Sequence, residues 1–340
     1  MLAGAFMLSA AHAQIVGEGE SALVYYSPKT EIVVDFGYDV VEEEAGPYAS
    51  YAEELLGVKN AVLVTKTTYF LKTARILTAT TTDYSRPHKV THDPAIPMLL
   101  NINEKSLLCG YNAPLEEKKP FANRPKENPI GRAYAASIVP YTEEILKAAN
   151  MEEEAKNTAQ QIFHLREMRQ YLLSGEVEHA PADGRSMELV LGELNKQEQA
   201  LTDLFIGKKN HHKAHREFRF EPTGKEQKWY FSEENGFTEA ENIDAEVISV
   251  STVLYPQRYV ANEEDNKAKK KPALLSQIVY NLPGSGDIKV VYKGTELAKR
   301  TLPIAQIGID VPLPRDLFTG KEMPVIRFSE KTGNIVSISK

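Results

Sequence analysis

The chain holds eight histidines and a single cysteine, and three of the histidines fall within five residues of one another. In "KKNHHKAHREFRF", residues 208–220, His211 and His215 are four positions apart. On a helix that spacing sets two imidazoles about 6 Å apart, within reach of one divalent ion. On a strand the same four steps separate them by about 13 Å, too far to share one. The stretch alternates like a strand: His212, Ala214, Arg216, Phe218 and Phe220 fall on one face, and His211, Lys213, His215, Glu217 and Arg219 on the other. Lys213, Arg216 and Arg219 also repel a cation. His211, His212 and His215 therefore read as a polar strand face rather than a metal site.

A second cluster, "TDYSRPHKVTHDP", brings Asp83, His88, His92 and Asp93 into one stretch. Pro87 and Pro94 mark it as a loop, where functional residues gather, but order along a loop fixes no geometry. Cys109, in "KSLLCGYN", has no disulfide partner and sits in an apolar run, which predicts a buried core residue. The pairs Tyr25-Tyr26 and Trp229-Tyr230 could stack on a sugar, yet in a strand one of each pair faces the core. "VEEEAG" and "MEEEAK" read as solvated faces. Gly284 and Gly286, in "NLPGSGDIK", lie between strand-like runs with no helix to follow, so they predict a turn and not a phosphate cradle. G-x-G-x-x-G, P-loop, G-x-S-x-G and H-E-x-x-H patterns are absent. No residue is assigned as catalytic, cofactor-binding or metal-ligating, and no cofactor is expected.

The elements that would position these residues change character along the chain. "EIVVDFGYDVV" places Ile32, Val34, Phe36, Tyr38 and Val40 on one face of a strand. A short helix follows Gly46-Pro47, with Tyr48, Tyr51, Ala52 and Leu55 at helical spacing and Gly57 at its end. Residues 60–82 read as two strands or one long bent one, and "MLLNINEKSLLCGYN" as a hairpin turning at "NEK". The Pro- and charge-rich 113–131 is a connection. From Thr142 to Gly175 a single helix of about 45 Å is predicted, with Ile145, Ala148, Ala155, Ala159, Ile162, Phe163 and Leu172 on its stripe and Arg166 and Arg169 near its C-terminal dipole. A partner helix, capped by Asp183 or Ser186, carries Met187, Val190, Leu191, Leu194, Leu201, Leu204 and Phe205. Together they form an antiparallel hairpin, which either projects in part or lies flat on a sheet. After Gly207 short strands return. "HREFRF" and "KWYFSEENGF" are expected to pair, and "SEKTGN" is a hairpin turn.

The predicted fold is α+β and mainly β: two antiparallel, sandwich- or barrel-like β-rich bodies with a long helical hairpin inserted. The expected segments are a signal peptide at 1–13, an N-terminal β-rich domain at 14–140, the hairpin at 141–207 and a C-terminal sandwich-like domain at 208–340. At 340 residues, 42% hydrophobic and 26% charged, the chain has a globular composition, with no apolar run long enough to span a membrane. Its net charge of -7 argues against nucleic acid as a partner, and "KAKKK" at 267–271 is offset by the "NEED" before it. The apolar start "MLAGAFMLSAAHAQ" ends in Ala11-His12-Ala13, the small-x-small pattern of an export signal cleaved before Gln14. It carries no leading Lys or Arg, and no Cys near the cleavage point to make a lipoprotein.

Four stretches, "ALVYYSPKTEIVVD", "GPYASYAEELLG", "PADGRSMELVLGELNKQEQALTDLFIGK" and "QIVYNLPGSGDIKVVYKGTELAKRTLPIAQIG", together resemble a domain-of-unknown-function family of exported Bacteroidota proteins. The resemblance implies an envelope location, periplasmic or outer-membrane associated, and carries no catalytic residues. The expected function is a non-enzymatic envelope protein that scaffolds or assembles through contacts with envelope or outer-membrane proteins. A glycan- or peptide-binding module is the alternative, and an uncharacterised hydrolase is a weaker one.

Overall fold

The alternation of β-branched and aromatic residues read at 31–41 extends both ways into one strand, β1 (Ala22–Glu44). At about 3.3 Å per residue β1 reaches roughly 75 Å, and it contacts members of all three sheets. The computed structural model describes residues 22–91, 99–113, 139–175, 184–239, 244–258, 278–313, 317 and 323–339. The leader 1–13, His92, Asp93, Asp183, the run 267–271 and nearly all of the connection 113–131 lie outside the described residues.

After β1 come a 3-10 turn at Ala49–Tyr51, α1 (Ala52–Leu56), β2 (Lys66–Thr91), β3 (Leu100–Ile102) and β4 (Leu108–Tyr111). The helices α2 (Glu143–Leu146), α3 (Met151–Ser174) and α4 (Gly184–Ile206) follow. The remaining strands are β5 (Lys208–Phe220), β6 (Gln227–Ser232), β7 (Gly236–Thr238), β8 (Glu246–Tyr255), β9 (Val279–Tyr292), β10 (Thr295–Pro312), β11 (Val325–Phe328) and β12 (Ile335–Ser339). They form three antiparallel sheets, ordered β2-β1-β5, β10-β9-β8-β6-β7 and β12-β11-β4-β3. The mainly-β α+β class predicted from the sequence holds, with no closed barrel. The first and third sheets each combine strands from before and after the helices.

The first two sheets face each other as a sandwich. Ile32, Val34 and Phe36 of β1 are fully buried against Phe231, Ile248, Val250, Ile288, Val290 and Ile304 of the five-stranded sheet. Each such side chain contributes roughly 1.5–3 kcal/mol by leaving water. Phe218 stacks on Trp229 with ring centroids 4.7 Å apart, and Phe36 meets both rings edge-on. A second core joins the far end of β1 and β2 to the third sheet through Tyr25, Val90, Tyr111, Ile326 and Phe328. A third is helical: Tyr48, Ala52, Ala155, Ala159, Ile162, Leu165, Leu201 and Phe205.

Three local expectations are corrected. "HREFRF" and "KWYFSEENGF" do not pair: β5 adds to the open edge of β1, while β6 pairs with β7 and β8 in the facing sheet. Residues 281–289 are not a turn, because β9 runs straight through them. A Cβ on Gly284 would come within 2.7 Å of the Tyr255 carbonyl oxygen, and one on Gly286 within 3.2 Å of Ile304, so these glycines permit close packing. The helix predicted from Thr142 is broken. The side chain of Asn150 accepts from the Glu153 N–H at 2.9 Å, and Glu153 Oε2 accepts from the Ala149 N–H at 3.0 Å. That reciprocal arrangement starts a new helix, α3, of about 36 Å. It ends as expected at left-handed Gly175. Along the stripe, Ala155, Ala159 and Ile162 are buried, but Phe163 is 49% exposed.

Candidate functional site

Two irregularities in the ladders bring polar side chains together. Along β2, Ser27 faces Asp83 and Tyr26 faces Pro87, so residues 84–86 have no partners on β1. Pro87 lacks an N–H for the ladder. The Asp83 carboxylate accepts from the Ser85 N–H at 3.1 Å and from its hydroxyl at 2.6 Å, closing a side-chain turn. Along β10 the pairing jumps from Ile304 to Ile309, leaving residues 305–308 bulged. The first bulge delivers Arg86 and the second Gln306, with Asp310 just beyond it in register with Asn281, where the three sheets meet.

There the Arg86 Nε donates to Asp310 Oδ2 at 3.0 Å and its Nη2 to Asp310 Oδ1, a two-pronged pair. Ser27 Oγ, on a residue 4% exposed, lies 2.8 Å from His88 Nε2 and donates to Asp310 Oδ1 at 3.2 Å. Asn281 Nδ2 donates to the carbonyls of Ala305 at 3.0 Å and Thr332 at 2.7 Å, tying the five-stranded sheet to the β11–β12 turn. Gln306 completes the junction by using its amide as a strand would. Its Oε1 accepts from the Thr30 N–H and its Nε2 donates to the Thr30 carbonyl, both at 2.9 Å. The Tyr25 hydroxyl donates to the Val279 carbonyl at 2.8 Å and accepts from the Val279 N–H at 2.7 Å. Burial pushes that phenol above its ordinary range. Burial also holds the His88 imidazole below its ordinary value. Nearby Asp310 works against that shift, and Arg86 adds to it.

The geometry differs from a nucleophile–base–acid relay. In such a relay the acid binds one ring nitrogen and the nucleophile the other. Here Ser27 and Asp310 both approach His88 Nε2, the latter at 3.6 Å. An open groove of about 570 Å³ flanks the junction, lined by Arg86, Gln306 and residues 308–312.

The strand predicted for 208–220 is present, so His211 and His215 are not on a helix. Each meets a carboxylate of β1, His211 Nε2 at 3.5 Å from Asp39 and His215 Nδ1 at 3.4 Å from Asp35. Asp35 is 2% exposed and also accepts from Arg75 Nε of β2 at 3.2 Å. His212 points to the other face. Among the described residues no group of three or more His, Cys, Asp or Glu is arranged to hold a metal ion, and no helix is long and apolar enough to cross a membrane. Cys109, predicted buried, is half-buried, with Sγ 3.6 Å from Glu330 Oε1, because along β4 it falls on the face opposite buried Leu108. Tyr25 and Trp229 face inward, as the alternation predicts.

The stretch expected to be a loop is the end of β2 as far as Thr91; of the cluster's described members, Asp83 and His88, His88 reaches the junction. Sequence reasoning missed Ser27, Arg86, Asn281 and Asp310. The one local signal was Pro87 inside a strand, which marks a bulge.

No curated protein and no solved structure matches this chain. A family model described as domain of unknown function (DUF4831) matches residues 21–336, nearly the whole length. As the resemblance implied, the family is one of unknown function, and the chain belongs to it, DUF4831.

Proposed function

We propose that this is a non-enzymatic, exported protein of the cell envelope that works through contacts with other envelope proteins, and that the helical hairpin carries them. The supporting observation is the distal half of the hairpin. No described residue of α3 beyond Leu165, and none of α4 before Ala200, is buried. Yet this half presents Met168, Tyr171, Leu173, Leu189 and Val190 to solvent, with Leu173 67% and Leu189 69% exposed. Its helices are held together by Glu198 of α4, which accepts from Arg166 Nε at 2.7 Å and also from Arg169. Exposed apolar side chains on a stretch of helix with no buried residue suit a protein partner, because each leucine covered contributes roughly 1.5–3 kcal/mol. The export reading rests on the apolar leader and its Ala11-His12-Ala13 pattern.

The test is affinity capture from envelope extracts with the wild type and a Leu173→Ser/Leu189→Ser variant. Loss of the captured partners with folding intact is the expected result, and full retention would overturn the reading. The groove beside Arg86 and Asp310 favours a second reading, a glycan or peptide ligand. Calorimetric titration with cell-wall oligosaccharides, read against an Asp310→Asn variant, separates it from the first.

A further inference from the structure

His88 occupies the point where β1, β2 and the bulged part of β10 converge, and its side chain is 14% exposed. It is faced by the Tyr25 ring and the Ser27 hydroxyl from β1, by Arg86 from its own strand and by Asp310 from β10. From β9 the neighbouring polar group of the junction is the uncharged Asn281. We propose that His88 is an acid-sensitive latch, neutral when the junction is closed and releasing the seam between the three sheets when it gains a proton.

Ser27 has one hydroxyl proton, and it goes to Asp310 Oδ1. The neutral imidazole then donates from Nε2 to Ser27 Oγ, and the chain His88–Ser27–Asp310 is satisfied with a single proton on the ring. Asp310 meanwhile neutralises Arg86. A second proton on His88 puts two cations beside one carboxylate that already accepts from Arg86 and Ser27. The ring, 14% exposed, takes that charge with little water of its own, although the Arg86 and Asp310 side chains are 21% and 25% exposed toward the groove. The junction relaxes by opening, which hydrates the ring. The direction follows from burial holding the folded-state imidazole below its ordinary value. The contribution to stability is fully present above about pH 6.5, the ordinary histidine value, and is lost as pH falls below it.

Hydrogen exchange on the full chain, corrected for intrinsic rates, tests the latch at about pH 7.5 and about pH 5. The amides of Tyr25–Thr30 and Val279–Leu282 are expected to lose protection several-fold in acid, while those of α3 and α4 do not. His88→Gln keeps an N–H for Ser27 but cannot be protonated, so it should abolish that acid-dependent loss. Equal protection at both pH values in the wild type, or an unchanged loss in His88→Gln, would overturn the proposal. Should the variant fail to fold, an NMR titration of the wild-type His88 ring decides. Titration below the ordinary value, in step with the loss of protection, supports the latch, and titration at the ordinary value refutes it.

Discussion

At the junction of the sheets, side chains from β1, β2, β9 and β10 bond to one another and to backbone. Serine, histidine, arginine and aspartate sit together there, the residue types from which active sites are made. Along the outer half of α3 and α4 the polar side chains pair locally, as Arg166 and Arg169 do with Glu198, while Leu173 and Leu189 leave their apolar surface to solvent. Most of the hydrogen-bonding capacity at the junction goes into holding three sheets together, with Arg86 Nη1 the buried donor left over among these side chains. On the hairpin, free energy is still available from covering Leu173 and Leu189.

The base of the hairpin is the most sensitive point of the fold. Phe205 is fully buried against Tyr48, and Phe205→Ala should cost about 3–5 kcal/mol in urea unfolding, with the helical signal lost first. An undiminished midpoint would mean that the helical core does not hold the hairpin. The next effect belongs to the junction. Asn281→Ala leaves the Ala305 and Thr332 carbonyls without their donor and should cost about 2–3 kcal/mol. A neutral result would show that the sheets do not depend on the polar knot. The smallest effect is at the outer hairpin, where Leu173→Ser and Leu189→Ser should each change stability by less than about 0.5 kcal/mol. A larger loss would mean that these side chains are part of the fold rather than a surface.

Much of the fold was legible because its signals are local. Period-two alternation over Ile32, Val34 and Phe36 is a property of adjacent residues, and so is the seam through Leu201 and Phe205. Three failures share a cause. "NLPGSGDIK" has the composition of a turn, and only Tyr255 and Ile304, packed against its glycines, show why it is extended. The break before α3 was signalled by Asn150 and Glu153, but an acidic run after an asparagine also reads as helix interior. "HREFRF" was paired with its neighbour in sequence, when the open edge of β1 was the better partner. The junction was the least legible part, since Ser27 and Asp310 lie 283 residues apart.

A photo-crosslinking side chain placed at Leu189 on the hairpin, or at Pro312 beside the junction groove, compares the two regions in the living cell most directly. Both positions are exposed. A discrete protein adduct from position 189 and none from position 312 is the predicted result. Adducts from 312 alone would contradict it, and would move the working surface of this protein to the place where its polar residues meet.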